Sequence, residues 1–231
     1  CLPAPAKQYD PQYYLIEQES EPVGCASLQI NDTWYAAVPD PGTIYYLWNS
    51  VRLFYLNGGE QAYIVSVGSY GTPSGNPLNP GDPLVNPNVK LNDLLNGLQL
   101  LQQQQDVTMY VCPDATLLSA ANNSTLAERM LLQSSTMQTS VSIVDVTAGR
   151  RPVAADLTND ITAFRENIGT NGLDYGAAYY PFLITSVMQP GEIDYTNFFG
   201  GNFGTLAAIL NPPLVSNPAV AAVIATIENP A

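Results

Sequence analysis

Histidine is absent from this sequence of 231 residues. A chain without histidine cannot contain a Ser-His-Asp triad, a Cys-His pair or a histidine metal ligand. The three cysteines, Cys1, Cys25 and Cys112, are isolated from one another, which argues against a disulfide framework and a CxxC metal site. Cys112 ends the apolar run VTMYVC, so we expect it to be a buried small side chain.

Charged side chains are also few. Charged residues make up only 12% of the chain, and seven Lys and Arg against 20 Asp and Glu give a net charge of −13. The largest basic cluster is the pair Arg150-Arg151. Binding to nucleic acid or to an anionic membrane surface requires several neutralising cations, so neither is an expected partner.

Long apolar runs are also missing, since no stretch approaches the ~20 continuous apolar residues of a membrane span. Apolar residues nevertheless make up 46% of the chain, and 14 of its residues are tyrosines. A surface with little charge and many tyrosines suits extensive protein contacts, because tyrosine combines a rigid apolar ring with a polar tip.

Segments with the composition of strands alternate with segments of helical periodicity over the middle of the chain. The predicted strands are 61–67, 107–112, 140–146 and 173–185, and the predicted helices include 43–56 and leucine-rich 91–101. A Thr125-to-Glu128 capping box predicts the start of another helix, and Asp156 is expected to cap the helix that Gly169 ends.

This alternation predicts an α/β fold with three layers, in which a mostly parallel sheet has helices on both faces. The terminal segments are predicted to be irregular, apart from a last helix over 217–227. We divide the chain into an N-terminal segment over 1–40, an α/β core over 41–185, and a loop with a final helix over 186–231. In the core, Gly97 predicts a close packing contact on its helix.

The predicted strand 173–185 contains Pro181 at its middle. Proline cannot donate to a sheet ladder, so this segment is either an edge strand or a strand with a break. It carries Tyr179 and Tyr180 into that break.

Three places in this fold could hold a ligand. The loop with Gly68, Gly71 and Gly75 follows a predicted strand, but it lacks the lysine of a P-loop and does not open a helix, so nucleotide binding there is not expected. The motif NFFGGNFG, with Gly200, Gly201 and Gly204, could bind a sugar or peptide, or could form an ordered loop or a subunit contact.

The third place is the pair Asp114 and Asp145, each of which follows or ends a predicted strand. Two carboxylates on neighbouring strand ends could hold Mg²⁺ for phosphoryl chemistry. The alternative, which we favour, is that Asp114 begins a turn after Pro113 and that Asp145 points outward from its strand.

Three motifs in order resemble the contractile tail sheath family of phages and related injection systems. The first is SVRLFYLNGGEQAYIVSV, in which a helix with Phe54 runs into the turn Asn57-Gly58-Gly59. The second is DVTMYVCPDATLL, a strand that ends in the pair Pro113-Asp114, and the third is LDYGAAYYPFLIT with Tyr179-Tyr180-Pro181. Together the motifs cover about residues 23–185, whereas 186–216 match nothing in the family.

The resemblance implies a structural subunit of a phage tail or tail-like particle, assembled in the bacterial cytoplasm. Sheath subunits stack around an inner tube and drive it by contraction, so catalytic residues, cofactors, metals, nucleic acid and membrane insertion are not expected. The implied partners are other sheath subunits, the inner tube protein, and baseplate and cap proteins. The family's C-terminal region and terminal arms are not recognisable here, which suggests a fragment of a sheath subunit.

Two functions of other classes remain as alternatives. One is a Mg²⁺-dependent phosphoryl-transfer enzyme of doubly wound fold that uses Asp114 and Asp145. The other is a surface lipoprotein or binding module, anchored through Cys1 and binding a glycan or peptide through NFFGGNFG.

Overall fold

The computed structural model describes residues 10–23, 25–147, 149 and 157–228. These residues form two compact units. The central unit comprises Tyr45–Gly71 and Pro83–Met188, and the terminal unit comprises the described parts of Pro3–Ile44, Thr72–Asp82 and Gln189–Ala231. The sequence-based division placed the two terminal segments apart, whereas the structure groups them in one unit.

Six strands and six α-helices are described. The strands are β1 (Tyr13–Gln18), β2 (Ala26–Ile30), β3 (Thr33–Pro39), β4 (Met109–Val111), β5 (Val141–Asp145) and β6 (Gly176–Tyr179). The helices are α1 (Leu47–Leu56), α2 (Leu91–Leu101), α3 (Ala120–Met137), α4 (Leu157–Asn167), α5 (Phe203–Leu210) and α6 (Pro218–Glu228). None of the described helices is both long enough and apolar enough to cross a membrane.

The terminal unit contains an antiparallel sheet in the order β1-β3-β2. Asn31 and Asp32 join β2 to β3, and both have positive φ, of 49° and 64°. Two positive φ values in a two-residue hairpin turn match the right-handed twist of the flanking strands. Leu15 and Tyr35 of the sheet are buried against Leu206 of α5. The prediction of an irregular N-terminal segment is therefore wrong for residues 13–18 and 26–39.

The central unit is built on a parallel sheet in the order β4-β5-β6, which confirms the predicted parallel pairing. Helix α3 connects β4 to β5, and α4 lies in the connection from β5 to β6. Strand β6 is an edge strand of four residues and stops before the cis peptide bond between Tyr180 and Pro181. The interpretation of Pro181 as a break at a sheet edge is confirmed, although the strand is much shorter than 173–185.

Helices α2, α3 and α4 contribute to one core. Leu126, Met130 and Leu131 of α3 are buried against Tyr110 of β4 and Val144 of β5. The five predicted leucines of α2 pack against the same core: Leu91, Leu94, Leu95, Leu98 and Leu101. The coarse prediction of helices packed on a parallel sheet is thus confirmed, with the three helices meeting in a single core.

The predicted strand over 61–67 is wrong, because the structure has no strand there. Side-chain contacts, and not the backbone hydrogen bonds of a sheet, hold residues 61–67 in place. Val65 and Val67 lie where a side chain on Gly97 of α2 would be, and the Tyr63 hydroxyl donates to Asp106 Oδ2 over 2.8 Å. The close packing contact predicted at Gly97 is therefore present, with this segment as the neighbour.

Helix α3 begins five residues before the predicted capping box. Ser119 is its N-cap, and the Ser119 hydroxyl accepts a hydrogen bond from the Asn122 N–H. Thr125 lies inside the helix and donates its hydroxyl to the Ala121 carbonyl over 3.1 Å. The capping-box prediction is wrong, because the same spacing of Thr125 and Glu128 is compatible with a helix interior.

Helix α4 packs on the core and ends at the predicted glycine. Phe164 packs against the core, Ile168 is buried in it, and Gly169 follows with φ of +72°, a conformation that ends a helix. The expected cap, Asp156, lies outside the described residues.

Candidate functional site

The turn Asn57-Gly58-Gly59 ends helix α1. The Asn57 side chain donates from Nδ2 to the Leu53 carbonyl over 2.8 Å, and the Gly59 N–H donates to the Phe54 carbonyl over 2.9 Å. Gly58 has φ of +87°, which a residue with a side chain adopts only with strain. The motif was predicted to end the helix and to turn the chain sharply into a strand; the helix end is confirmed, but no strand follows at 61–67.

Phe54 covers the turn, since a side chain on Gly59 would overlap the Phe54 ring. A shallow groove of about 470 Å³ lies here, lined by Ser50, Leu53, Phe54, Asn57, Gly58 and Gly59. Helix α1 has no fully buried residue, and Leu56 is 72% exposed. The apolar side chains of this segment are at most half-buried: Tyr46, Trp48, Val51, Leu53, Phe54 and Leu56. The C-terminal end of α1 therefore exposes apolar side chains.

The pair Pro113-Asp114 opens a 3-10 helix, Pro113–Leu117, directly after β4. Asp114 Oδ1 accepts a hydrogen bond from the Tyr46 N–H over 2.6 Å, and the Leu47 N–H also donates to this carboxylate. These two N–H groups lie at the start of α1, where the helix itself offers them no acceptor. Asp114 therefore caps α1 and ties it to the end of β4.

Burial raises the pKa of the Asp114 carboxyl above its ordinary value, although the hydrogen bonds from Tyr46 and Leu47 act in the opposite direction. A raised pKa means that the folded chain binds this proton more tightly than the unfolded chain. The contribution of this carboxyl to stability is then fully present below its ordinary pKa of 3.8 and is lost as the pH rises through the raised value.

We expect Asp114→Ala to lower the free energy of unfolding of the central unit by about 1–2 kcal/mol, because the start of α1 loses its cap. Asp114→Asn keeps an acceptor without a buried charge, so it should cost less at pH 7 and should flatten the change of stability with pH above 3.8. Urea unfolding at several pH values measures the loss of stability in each variant and how that stability changes with pH. Identical pH slopes in Asp114→Asn and the unaltered protein would contradict the pKa assignment.

Asp145 ends β5, on the strand next to β4, so both predicted carboxylates lie at the carboxyl ends of adjacent parallel strands. Burial raises the pKa of the Asp145 carboxyl. Asp114, however, is engaged with the start of α1. The described residues contain no group of three or more His, Cys, Asp or Glu side chains that could hold a metal ion. For Asp114, the turn interpretation fits better than a metal ligand.

Cys112 precedes this pair and packs against the core. Burial raises the pKa of the Cys112 thiol to about 12, so the thiol is protonated and unreactive at neutral pH. The described cysteines, Cys25 and Cys112, are both free thiols. Cys1, the expected anchor of the lipoprotein alternative, lies outside the described residues.

The Tyr-Tyr-Pro motif separates two neighbouring tyrosines. Tyr179 is the last residue of β6 and is 59% exposed, whereas Tyr180 donates its hydroxyl to Asp160 Oδ2 of α4 over 3.1 Å. Tyr180 thus ties the end of the edge strand to the helix that precedes it in the chain.

We expect Tyr180→Phe to lower the free energy of unfolding by about 1 kcal/mol, since one hydrogen bond to Asp160 is lost. Tyr180→Asp should cost clearly more, because it also removes the ring and brings a second carboxylate towards Asp160. Thermal and urea unfolding of both variants, with Tyr179→Phe as the matched control, measure the difference. A Tyr180→Asp variant as stable as the control would show that this contact does not stabilise the edge strand.

The loop with Gly68, Gly71 and Gly75, one of the three places considered for a ligand, donates hydrogen bonds to a carboxylate of the chain itself. In the terminal unit, the N–H groups of Ser74 and Gly75 donate to Asp40 Oδ2 over 2.8 and 2.9 Å, and the Ser74 hydroxyl donates to Oδ1. The Gly42 N–H donates to the same carboxylate over 3.0 Å. Asp40 is completely buried, so the donors are not available to an external anion.

The NFFGGNFG motif is packed within the terminal unit. The Phe198 ring lies 6.2 Å from that of Tyr13, and the Phe199 ring meets Tyr14 edge-on at 5.6 Å. Phe199, Gly200 and Gly201 have positive φ, and Gly204 lies in α5. The motif is therefore an ordered loop packed on β1, which leaves fewer aromatic faces for a sugar or peptide.

The parallel sheet of the central unit has two different faces. One face carries Tyr110, Ser142 and Val144, and it is covered by α3, whose Ser134 is hydrogen-bonded to Ser142 over 2.8 Å. Gly176 of β6 lies on this face too, because a side chain there would overlap Leu131 of α3.

The opposite face is apolar and exposed. Met109 and Val111 of β4 align with Val141 and Ile143 of β5, and Tyr179 of β6 aligns with Asp145. Met109 is 55% exposed, Val111 54% and Val141 41%. We call this surface the open sheet face: Met109, Val111, Val141, Ile143, Asp145, Ala177 and Tyr179. Its one charged group is Asp145.

Sequence reasoning identified strands β4, β5 and β6 but did not identify the open sheet face. The signal was present in each strand, because apolar residues occur at consecutive positions, as in MYV and SIVD. Parallel sheets normally have both faces covered, so this exposed apolar face is a candidate contact surface. Of the nine motif residues, Tyr179 lies on this face.

Comparison with known proteins gave no relative from which a role could be transferred. No protein family model matches the chain, and no curated protein is significantly similar to it in sequence.

Proposed function

We propose that the chain is a structural subunit of an assembly made of many copies, and that this assembly is a contractile tail sheath. The observation that carries the proposal is the open sheet face. The parallel sheet has helices on one face and half-exposed Met, Val and Tyr side chains on the other. Such an exposed apolar face is suited to binding another protein layer.

The three sheath-like motifs support the proposal through their order and through what they do in the fold. Asp114 and the turn Asn57-Gly58-Gly59 hold the two ends of α1, and Tyr180 holds the edge strand to α4. All three are scaffold contacts and none forms a catalytic constellation. Contacts that fix the edges of a sheet are compatible with a subunit that functions by contacting its neighbours.

A three-layer core belongs to the same proposal. The first two layers are the helices α2, α3 and α4 and the parallel sheet. The third layer, over the open sheet face, would be supplied in the assembled particle. The partners are then other copies of the subunit and the inner tube around which they stack, with baseplate and cap proteins at the ends, and the particle is a phage tail or a related injection device. No chemistry by a cofactor is part of this function.

Electron microscopy of the full-length protein tests the proposal, with and without its inner tube protein. Tubes with a regular helical lattice are the expected result, together with large particles in sedimentation velocity. A monomer at every concentration, both alone and with the tube protein, would contradict the proposed function.

A further inference from the structure

We propose that helix α6 of one copy packs on the open sheet face of the next copy. The inference rests on the proposed function, because it names the partner of the surface that carries that function. It concerns a contact between different copies, each of which offers one helix and one face.

Helix α6 is apolar and poorly covered. Val220, Val223, Ile224 and Ile227 recur at the i, i+3, i+4 and i+7 positions, which gives one apolar stripe along the helix. Val223 is 60% exposed, and Leu214, just before the helix, is 98% exposed. A helix on the surface of an isolated domain would carry polar residues here.

Charge favours a second copy as the occupant. Each copy has a net charge of −13, so two copies repel each other except where their surfaces are uncharged. Residues 195–227 contain no Asp, Glu, Lys or Arg, so the only charged residue of α6 is Glu228 at its last position. The open sheet face has only Asp145, at the end of its strand. The helix and the face are thus surfaces through which like-charged copies can approach with the least repulsion.

The dimensions also agree. A helix of 11 residues is about 16 Å long, at 1.5 Å per residue. Three strands about 4.8 Å apart present a face on the order of 10–15 Å wide. Helices are also the elements that normally cover parallel sheets, so α6 supplies the kind of layer that this face lacks.

The area of the contact matches a subunit that assembles reversibly. The exposed residues of the open sheet face are Met109, Val111, Val141 and Tyr179. An aromatic side chain buries on the order of 150–250 Å², so the exposed halves of these four residues offer at most on the order of 400 Å². A standard interface buries about 800 Å² per partner. One contact is about half of that, which places it among weak and reversible interfaces.

The contact joins two different surfaces and is therefore head-to-tail. Repetition of a head-to-tail contact whose rotation does not close gives a helical array. A face-to-face dimer through two open sheet faces would instead stop after two copies.

Cysteine cross-linking between two variants of the full-length protein tests the inference, with the native cysteines replaced by serine. One variant carries Val111→Cys and the other Val223→Cys. Under assembly conditions and mild oxidation, the mixture should give at least 10-fold more disulfide-linked dimer than either variant alone. Both positions are exposed, and a second pair, Met109→Cys with Ile227→Cys, should behave alike.

Leu132→Cys, at an exposed position of α3, mixed with Val223→Cys is the control, and it should not cross-link. If tubes form but the Val111 pair gives no more product than this control, α6 is not the occupant, whereas the proposed function stands. If a chain with both Val111→Cys and Val223→Cys closes an internal disulfide when dilute, α6 covers the face within its own copy, which also overturns the inference. If no variant assembles and the unaltered protein stays monomeric, both proposals fail.

Discussion

Asp40→Ala is expected to lower the free energy of unfolding of the terminal unit by about 3–5 kcal/mol. The substitution leaves the buried Gly42 N–H without its acceptor and also removes the acceptor of the Ser74 and Gly75 N–H groups. An unsatisfied buried donor costs about 1–3 kcal/mol, and a hydrogen bond to a charged group contributes about 1.5–3 kcal/mol. The segment Thr72–Asp82 loses its hydrogen bonds to Asp40 and keeps the one from the Leu78 N–H to the Pro39 carbonyl.

Trp34 of β3 reports this unfolding in a Trp48→Phe background, since these are the two tryptophans of the chain. Asp40→Asn is the matched control. It keeps one acceptor oxygen and should lose less stability than Asp40→Ala. A loss below about 1 kcal/mol in Asp40→Ala would mean that the buried carboxylate does not hold this segment.

Val111→Lys is expected to abolish assembly while leaving the subunit folded. Val111 lies on edge strand β4 of the open sheet face and is already 54% exposed, so lysine at this position costs the isolated subunit at most about 1 kcal/mol. In an assembled particle the same lysine would be buried against an apolar partner without a counter-charge. The concentration required for assembly should rise at least 100-fold, which corresponds to about 2.7 kcal/mol.

Sedimentation velocity over a concentration series measures the effect on assembly, and circular dichroism measures the fold. Leu132→Lys, on the exposed side of α3, is the matched control and should assemble normally. Equal assembly of Val111→Lys and the unaltered protein would exclude the open sheet face as a subunit contact.

The parts of the fold that depend on local patterns could be predicted from the sequence. The leucines of α2 recur at helical spacing, and Gly169 ends α4, so both helices were found close to their observed bounds. The parallel pairing followed from the alternation of strands with helices of crossover length. Pro181 at a sheet edge followed from the missing N–H of proline.

The parts that depend on distant partners could not be predicted. Residues 61–67 have the composition of a strand, but a strand also requires a neighbour to complete its ladder, and the structure provides side-chain contacts instead. The sheet of the terminal unit was missed because short alternating segments near a chain end predict a strand only weakly. Asp40 could be assigned to a turn from its neighbours Pro41 and Gly42, but its acceptance of N–H groups from residues 74 and 75 could not.

The open sheet face was not predicted for a similar reason. Each strand of the central sheet looks fully buried, and the sequence contains no sign of which face the chain itself covers. The placement of α2, α3 and α4 in one core decides this.

Cryo-electron microscopy of particles assembled from the full-length protein tests the central claim most directly, at a resolution that separates strands. The account predicts that a neighbouring copy covers Met109, Val111 and Tyr179, so that the open sheet face lies inside a subunit contact. A helical lattice in which this face remains open to solvent, or is covered by its own chain, would contradict the account.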